Sequence, residues 1–253
     1  RLRGLALRVS SGAMTASLAR SLAEETLDSL VSTLQLREVG APRLALADLR
    51  GTSVGALRRF VGEAASIVTI SLGVPAFGLD SHMIFAFTPP ASPLPHFTLD
   101  SVQAGPGYSY HLDLVPRVDL AAHLGYVDAV YGPLTGLFEE AGARPGLSPA
   151  RLSPRQRALM SPWMLVHHAD ATAFAALGPT VRAYRERWLE LCARSLSSAV
   201  ADDIADVDLP GRDRRLRDAI FNPDVDPVWA LVDRLVGAER SAELRRFLRG
   251  EAE

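Results

Sequence analysis

The sequence contains no lysine, and all 27 of its Lys or Arg residues are arginines. An arginine- and alanine-rich coding bias is the simplest cause of this composition. Its consequence is chemical, because it excludes enzymes that hold a substrate as a lysine Schiff base and nucleotide hydrolases that contact phosphate through a P-loop lysine. No G-x-G-x-x-G motif is present either, so the sequence gives no support for a bound dinucleotide.

Cysteine is almost absent, since Cys192 is the only one in 253 residues. A lone thiol forms no internal disulfide and no cysteine-rich metal site, and it is typical of a reducing compartment. We find no apolar run of about 18 residues and no secretory signal, so we expect a cytoplasmic protein without a membrane span. The net charge of −2 gives no reason to expect nucleic acid or an anionic membrane as a partner.

Four strand-like runs occupy residues 66–115, and Pro/Gly segments separate them. Connections this short favour antiparallel pairing, because a parallel crossover needs about a dozen residues or more. Strands in the middle and helices at both ends predict one α+β domain over residues 1–253. We expect a helical N-terminal part (1–60), the central strands, and a mainly helical remainder (116–253).

The flanking segments are predicted in less detail. Residues 14–36 read as an amphipathic helix that Thr15 or Ser17 caps, 43–49 as a strand and 55–64 as a short helix. Further along the chain we predict an extended piece at 161–170 and a long helix at 179–204. A polar loop at 208–227 and a last helix near 228–249 complete the chain.

The stretch "GTSVG" at 51–55 matches the G-x-S-x-G elbow of serine hydrolases, with Ser53 as the nucleophile. A plain turn is the simpler interpretation, because that elbow needs an alternating β/α sheet with an acid and then a histidine downstream. The six histidines show no metal-binding spacing, and a histidine on a strand is usually structural.

Asp100 lies in the middle of the strand-like run "HFTLDSVQ", where aspartate is disfavoured. It is either on a solvated edge or a proton donor beside a ligand. The charge run at 211–218 is either a solvated face or a patch that steers an acidic partner. Asp226, in "NPDVDP", either caps the last helix or belongs to a site.

Three spaced motifs resemble red chlorophyll catabolite reductase and, more widely, the ferredoxin-dependent bilin reductases. The first is the strand that contains Leu94, Pro95, His96, Phe97, Asp100 and Gln103. The second comprises Asp113, Leu114, Pro116, Arg117, Asp119, Leu120, His123 and Tyr126. The third comprises Ser161, Pro162 and Val166, and Asp226, Pro227 and Gly237 match a further stretch before the last helix. The resemblance spans residues 66–250.

The resemblance implies an α/β/α sandwich, in which a central antiparallel sheet carries helices on both faces. It implies reduction of a linear tetrapyrrole that lies between the sheet and the C-terminal helices. Such enzymes bind no metal and no flavin. Ferredoxin supplies single electrons, the substrate holds the radical, and side-chain acids supply protons.

The resemblance also assigns roles to individual residues. Asp100 matches the sheet acid, which a neighbouring apolar ligand desolvates and keeps protonated, and Asp226 matches a second acid. His82, on the preceding strand, corresponds to the proton-relay histidine of phycocyanobilin-forming members if the intervening loop has one extra residue. Substrate contacts are expected from His96, Thr98, Gln103, Arg117 and Asn222. Ferredoxin, which is acidic, is expected to contact Arg212, Arg214, Arg215 and Arg217.

Two other functions remain open at this point. The "RLVG" sequence near 234–237 and the polar C-terminus depart from the family pattern, so the fold is also compatible with another conjugated or heterocyclic substrate in a biosynthetic pathway. A tetrapyrrole-binding protein without turnover is the second alternative.

Overall fold

A single eight-stranded antiparallel sheet organises the protein. The computed structural model describes residues 16–250, with the side chains of 41–44 excepted. The strands are β1 (Arg37–Ala47), β2 (Ser53–Val61), β3 (Ser66–Val74), β4 (Leu79–Phe87), β5 (His96–Ala104), β6 (Gly107–Val115), β7 (Leu147–Pro149) and β8 (Leu165–Ala169). Their order in the sheet is β1-β2-β3-β4-β5-β6-β8-β7. The four central strands and their antiparallel pairing are therefore confirmed.

Ten α-helices accompany the sheet within the described part of the chain. They are α1 (Leu18–Thr33), α2 (Leu124–Val130), α3 (Thr135–Gly142), α4 (Pro154–Leu159), α5 (Ala171–Ala175), α6 (Gly178–Ala193), α7 (Ser198–Asp203), α8 (Leu209–Ile220), α9 (Val228–Val236) and α10 (Ala238–Arg249). The N-terminus of α1 is capped by Ser17, whose hydroxyl accepts the backbone N–H of Arg20. The alternative cap, Thr15, lies outside the described residues.

The sheet separates two hydrophobic cores, because successive side chains of a strand point to opposite faces. On the first face, residues such as Ile84, Phe97 and Leu112 pack against α1, α2 and α6. On the second face, residues such as Met83 and Phe85 pack against α8, α9 and α10. Helices on both faces of an antiparallel sheet confirm the predicted α/β/α sandwich.

The segment predicted as a short helix at 55–64 is strand β2. Its buried residues, Val54, Leu57 and Phe60, recur every third position, which imitates a helix. The pattern has two causes. β1 pairs Ala47 with Ser53 and Leu46 with Gly55, so one extra residue bulges from β2 and Val54 faces the same core as Leu57. Phe60 lies on the opposite face, which is also covered and buried.

Three predictions for the C-terminal half are also wrong. The expected loop at 208–227 contains helix α8, whose buried side chains are Asp213, Leu216 and Ile220. The long helix at 179–204 is two helices, α6 and α7. The last helix is likewise divided, because Gly237 has φ +89° and separates α9 from α10.

Candidate functional site

A cavity of about 670 Å³ lies on the second face of the sheet, between the central strands and helices α4, α8 and α9. Most of its wall is apolar and includes Leu72, Met83, Phe85 and Trp229. Several polar side chains also line it, namely Ser81, Thr98, Asp100, His111, Gln156, Asp226 and Arg234. An apolar cavity of this volume with a few polar groups is typical of a small-molecule site.

Unpartnered polar atoms concentrate around this cavity. Thr98 Oγ1, Asp100 Oδ1, His111 Nε2 and Trp229 Nε1 are buried without a hydrogen-bond partner, and all four residues line the cavity wall. In the described chain, only Arg117 Nε and Arg185 Nε are otherwise buried in this way. A buried polar atom without a partner costs about 1–3 kcal/mol, so a cluster of them indicates a functional site.

Asp100 and His111 form a cross-strand pair on the cavity wall. Their backbones are directly opposite in the β5–β6 ladder, and His111 Nδ1 lies 3.7 Å from Asp100 Oδ2. Burial alone lowers the pKa of His111. The interaction with Asp100 and the charges of Asp113 and Asp226 raise it by more, so the net pKa is above its ordinary value.

Asp113 lies behind this pair and does not line the cavity. It is fully buried, and its carboxylate accepts hydrogen bonds from the backbone N–H and the hydroxyl of Ser161. Burial raises its pKa to about 6, although His111 and these hydrogen bonds oppose the shift. Asp113 belongs to the second family motif and Ser161 to the third. Their hydrogen bonds join β6 to the segment before β8, so the two motifs meet in one contact.

Asp226 reaches the cavity from the helical side, so the two expected acids line the same cavity on opposite walls. Its Oδ1 accepts the backbone N–H of Val228 at 3.0 Å and the amide of Gln156 at 3.4 Å. Burial raises its pKa, the Val228 N–H lowers it, and the charge of Asp100 raises it further, with a net upward shift. Both interpretations of Asp226 fit the structure, since it supports the start of α9 and lines the cavity.

His82 does not lie in this cavity. It is on the first face of the sheet, where its ring nitrogens are 2.9 Å from Asp80 Oδ1 and 3.1 Å from Ser71 Oγ. The residue opposite Asp100 on β4 is Met83. A one-residue offset moves a side chain to the other face, so the assignment of His82 to the site is corrected.

Thr98 lines the cavity as expected, but His96 and Arg117 do not. They belong to a buried network around Asp213, which lies 2.9 Å from His96 Nε2 and 3.3 Å from an Arg117 nitrogen. The backbone N–H of Thr88 donates to His96 Nδ1, so the ring is neutral with its proton on Nε2. His96 and Arg117 therefore fix α8 to the sheet and do not contact the cavity.

Gln103 and Asn222 also lie outside the cavity wall. The amide of Gln103 donates to the carbonyl of Gly105 in the β5–β6 turn. Asn222 accepts the backbone N–H of Asp224, and its carbonyl accepts the backbone N–H of Asp226. Asn222 thus shapes the turn that presents Asp226.

The four arginines of α8 fall into two pairs. Arg212 donates to the carbonyl of Val118, and Arg217 donates to Asp213 and stacks on the ring of Phe87. Arg214 and Arg215 are exposed. Only this exposed pair is available to a partner, so half of the predicted patch has a structural role.

The "GTSVG" stretch is the turn between β1 and β2 and the first residues of β2. The elbow requires a strand, a turn and a helix, so the serine hydrolase interpretation is wrong. Within residues 16–250, no group of three or more His, Cys, Asp or Glu side chains is placed to hold a metal ion. In the same residues, no helix has the length and apolar character needed to span a membrane.

No protein-family model and no curated protein matches the sequence of this chain. Structural comparison finds a similar fold in the crystal structure of tomato phytochromobilin synthase in complex with biliverdin. The TM-score is 0.70 at 17% sequence identity, and the match covers 91% of this chain and 82% of that one. At this identity the likeness establishes the fold alone.

Proposed function

We propose that this protein is an oxidoreductase that reduces a linear tetrapyrrole with single electrons from ferredoxin and protons from the cavity wall. One observation carries the proposal: three ionisable side chains meet in a mostly apolar cavity, Asp100 and His111 from the sheet and Asp226 from the loop before α9. The fold is shared with a protein whose crystal structure holds biliverdin.

The cavity suits an open-chain tetrapyrrole in its chemistry. Such a molecule is a long conjugated system with N–H and carbonyl groups, and its other substituents are apolar or acidic. The wall offers apolar contact from Met83, Phe85 and Trp229, and hydrogen-bonding atoms on Thr98 and Asp100. Arg234 also lines the cavity and provides a cation for an acidic substituent.

The proposed reaction combines electrons from ferredoxin with protons from side chains of the cavity wall. Reduction of one double bond consumes two electrons and two protons. Ferredoxin delivers the electrons one at a time, so the substrate passes through a radical after the first. A group with a raised pKa keeps its proton at higher pH, and Asp226 is such a group on the helical wall. The proposal includes no bound metal or flavin.

The test is the absorption spectrum of the purified protein with biliverdin, before and after addition of a reduced ferredoxin system. We expect a shift of the bilin band on binding and a second change that depends on electrons. His82→Gln is the matched control, because His82 is on the other face of the sheet and its loss should leave both changes intact.

Two results would contradict the proposal. No spectral change with biliverdin or with a red chlorophyll catabolite would exclude a tetrapyrrole site. Stoichiometric binding without an electron-dependent product would indicate a binding protein without turnover.

A further inference from the structure

We infer that His111 is a further proton-donating residue of this cavity, and that the carboxylate of Asp100 holds its imidazolium in place. The inference deepens the proposed function and rests on it for the identity of the substrate. It differs from the sequence-based expectation, in which Asp100 itself donates and the histidine is His82.

The position of His111 supports this role. Its side chain lines the cavity and is 15% exposed, so one part of the ring is accessible from the cavity. Nδ1 lies within ion-pair distance of Asp100, whereas Nε2 is buried and has no partner. A structural histidine normally has both ring nitrogens satisfied, as His96 has.

The charges around His111 are of one sign. Asp100 faces it from β5, Asp113 lies two residues along its own strand, and Asp226 approaches from the loop before α9. On β8, the residue paired with His111 is the apolar Val166. When ionised, these three carboxyl groups favour the imidazolium and oppose the effect of burial.

The proposed step moves one electron and one proton to the substrate. Ferredoxin gives one electron to the substrate, the imidazolium N–H bond of His111 breaks, and a new bond to hydrogen forms on the substrate. The substrate becomes a neutral radical and His111 becomes a neutral imidazole. Asp100 transfers no proton in this step. A solvent proton then restores the imidazolium before the next turnover.

The first test measures the protonation of His111 in the unmodified protein without ligand. A two-dimensional proton–nitrogen NMR titration should give His111 a pKa above the ordinary histidine value. In Asp100→Asn that pKa should fall, because the amide carries no charge. A His111 ring that is already neutral at pH 6, or one that Asp100→Asn leaves unchanged, would overturn the inference.

The second test measures the reduction rate against pH. The rate of the unmodified enzyme should fall as pH rises through the pKa of His111, and this alkaline limb should disappear in His111→Gln. The variant should still bind biliverdin but lose roughly 10²–10⁴-fold in rate, the usual contribution of a general acid. His168→Gln, which changes an exposed histidine on β8, is the matched control and should behave as unmodified enzyme.

The two tests separate this inference from the proposed function. Failure of the unmodified protein to bind any tetrapyrrole would remove the proposed function, whereas the NMR titration would still report on His111. Full rate and an unchanged alkaline limb in His111→Gln would remove His111 from proton delivery and leave the proposed function standing.

Discussion

Replacing Asp213 by Asn should destabilise the protein strongly, although Asp213 does not line the cavity. Asp213 is buried, and its carboxylate lies 2.9 Å from His96 Nε2, 2.9 Å from Arg217 Nε and 3.3 Å from an Arg117 nitrogen. The amide can still accept the His96 proton, but two largely buried guanidinium groups lose their counter-ion. Removing one partner of a buried ion pair costs about 3–5 kcal/mol. For a chain of this size the melting temperature should fall by roughly 6–20 °C.

The assay is thermal and denaturant unfolding of Asp213→Asn beside Asp218→Asn. Asp218 is on the same helix, is exposed, and lies 3.4 Å from Arg249 at the surface. An exposed pair contributes about 0–1 kcal/mol, so the control should unfold nearly as the unmodified protein does. If the two variants differed by less than about 1 kcal/mol in free energy of unfolding, the network would not be what fixes α8 to the sheet.

Acid should destabilise the protein, because burial and the nearby arginine charges lower the pKa of His96 to about 3 and unfolding therefore takes up a proton. The free energy of unfolding should fall as pH is lowered from about 6.5 toward 3, and flat stability there would contradict a neutral His96. Asp100→Asn should keep biliverdin binding and slow product formation, and full activity would remove Asp100 from the mechanism. Asp226→Asn should admit the first electron and accumulate a substrate radical visible by electron paramagnetic resonance. Normal turnover with no radical would leave Asp226 as a support for α9. Replacing Arg214 and Arg215 by serine should slow ferredoxin-dependent reduction and weaken its dependence on ionic strength, with stability unchanged. An unchanged rate would make the exposed pair a solvated surface.

The central strands were predictable because each carries a local signal. Alternating side chains and short turns identify β3 to β6, and the two-residue turn at Gly105 and Pro106 fixes the register of β5 against β6. That register places His111 opposite Asp100. The sequence therefore contains the signal for His111, whereas the family resemblance points to His82 on β4.

Helix α8 was not predictable from hydrophobic spacing, because its buried face includes a charged residue. Arg217 is its partner on the same helix, but the other two, His96 and Arg117, are more than 90 residues away in the chain. The proximity of Asp226 to Asp100 has the same origin. It depends on how the helices pack on the second face of the sheet, and no local pattern encodes that packing.

The cavity interrupts the second hydrophobic core, since Leu72, Met83, Phe85 and Trp229 belong to both. Whatever occupies the cavity therefore completes that core, and binding and folding share the same apolar contacts. By mass action, a ligand at 100 times its dissociation constant adds about 2.7 kcal/mol to the free energy of unfolding. A screen of compounds for those that raise the free energy of unfolding should therefore identify the native ligand. Such a screen needs no turnover and no assumption about the reaction.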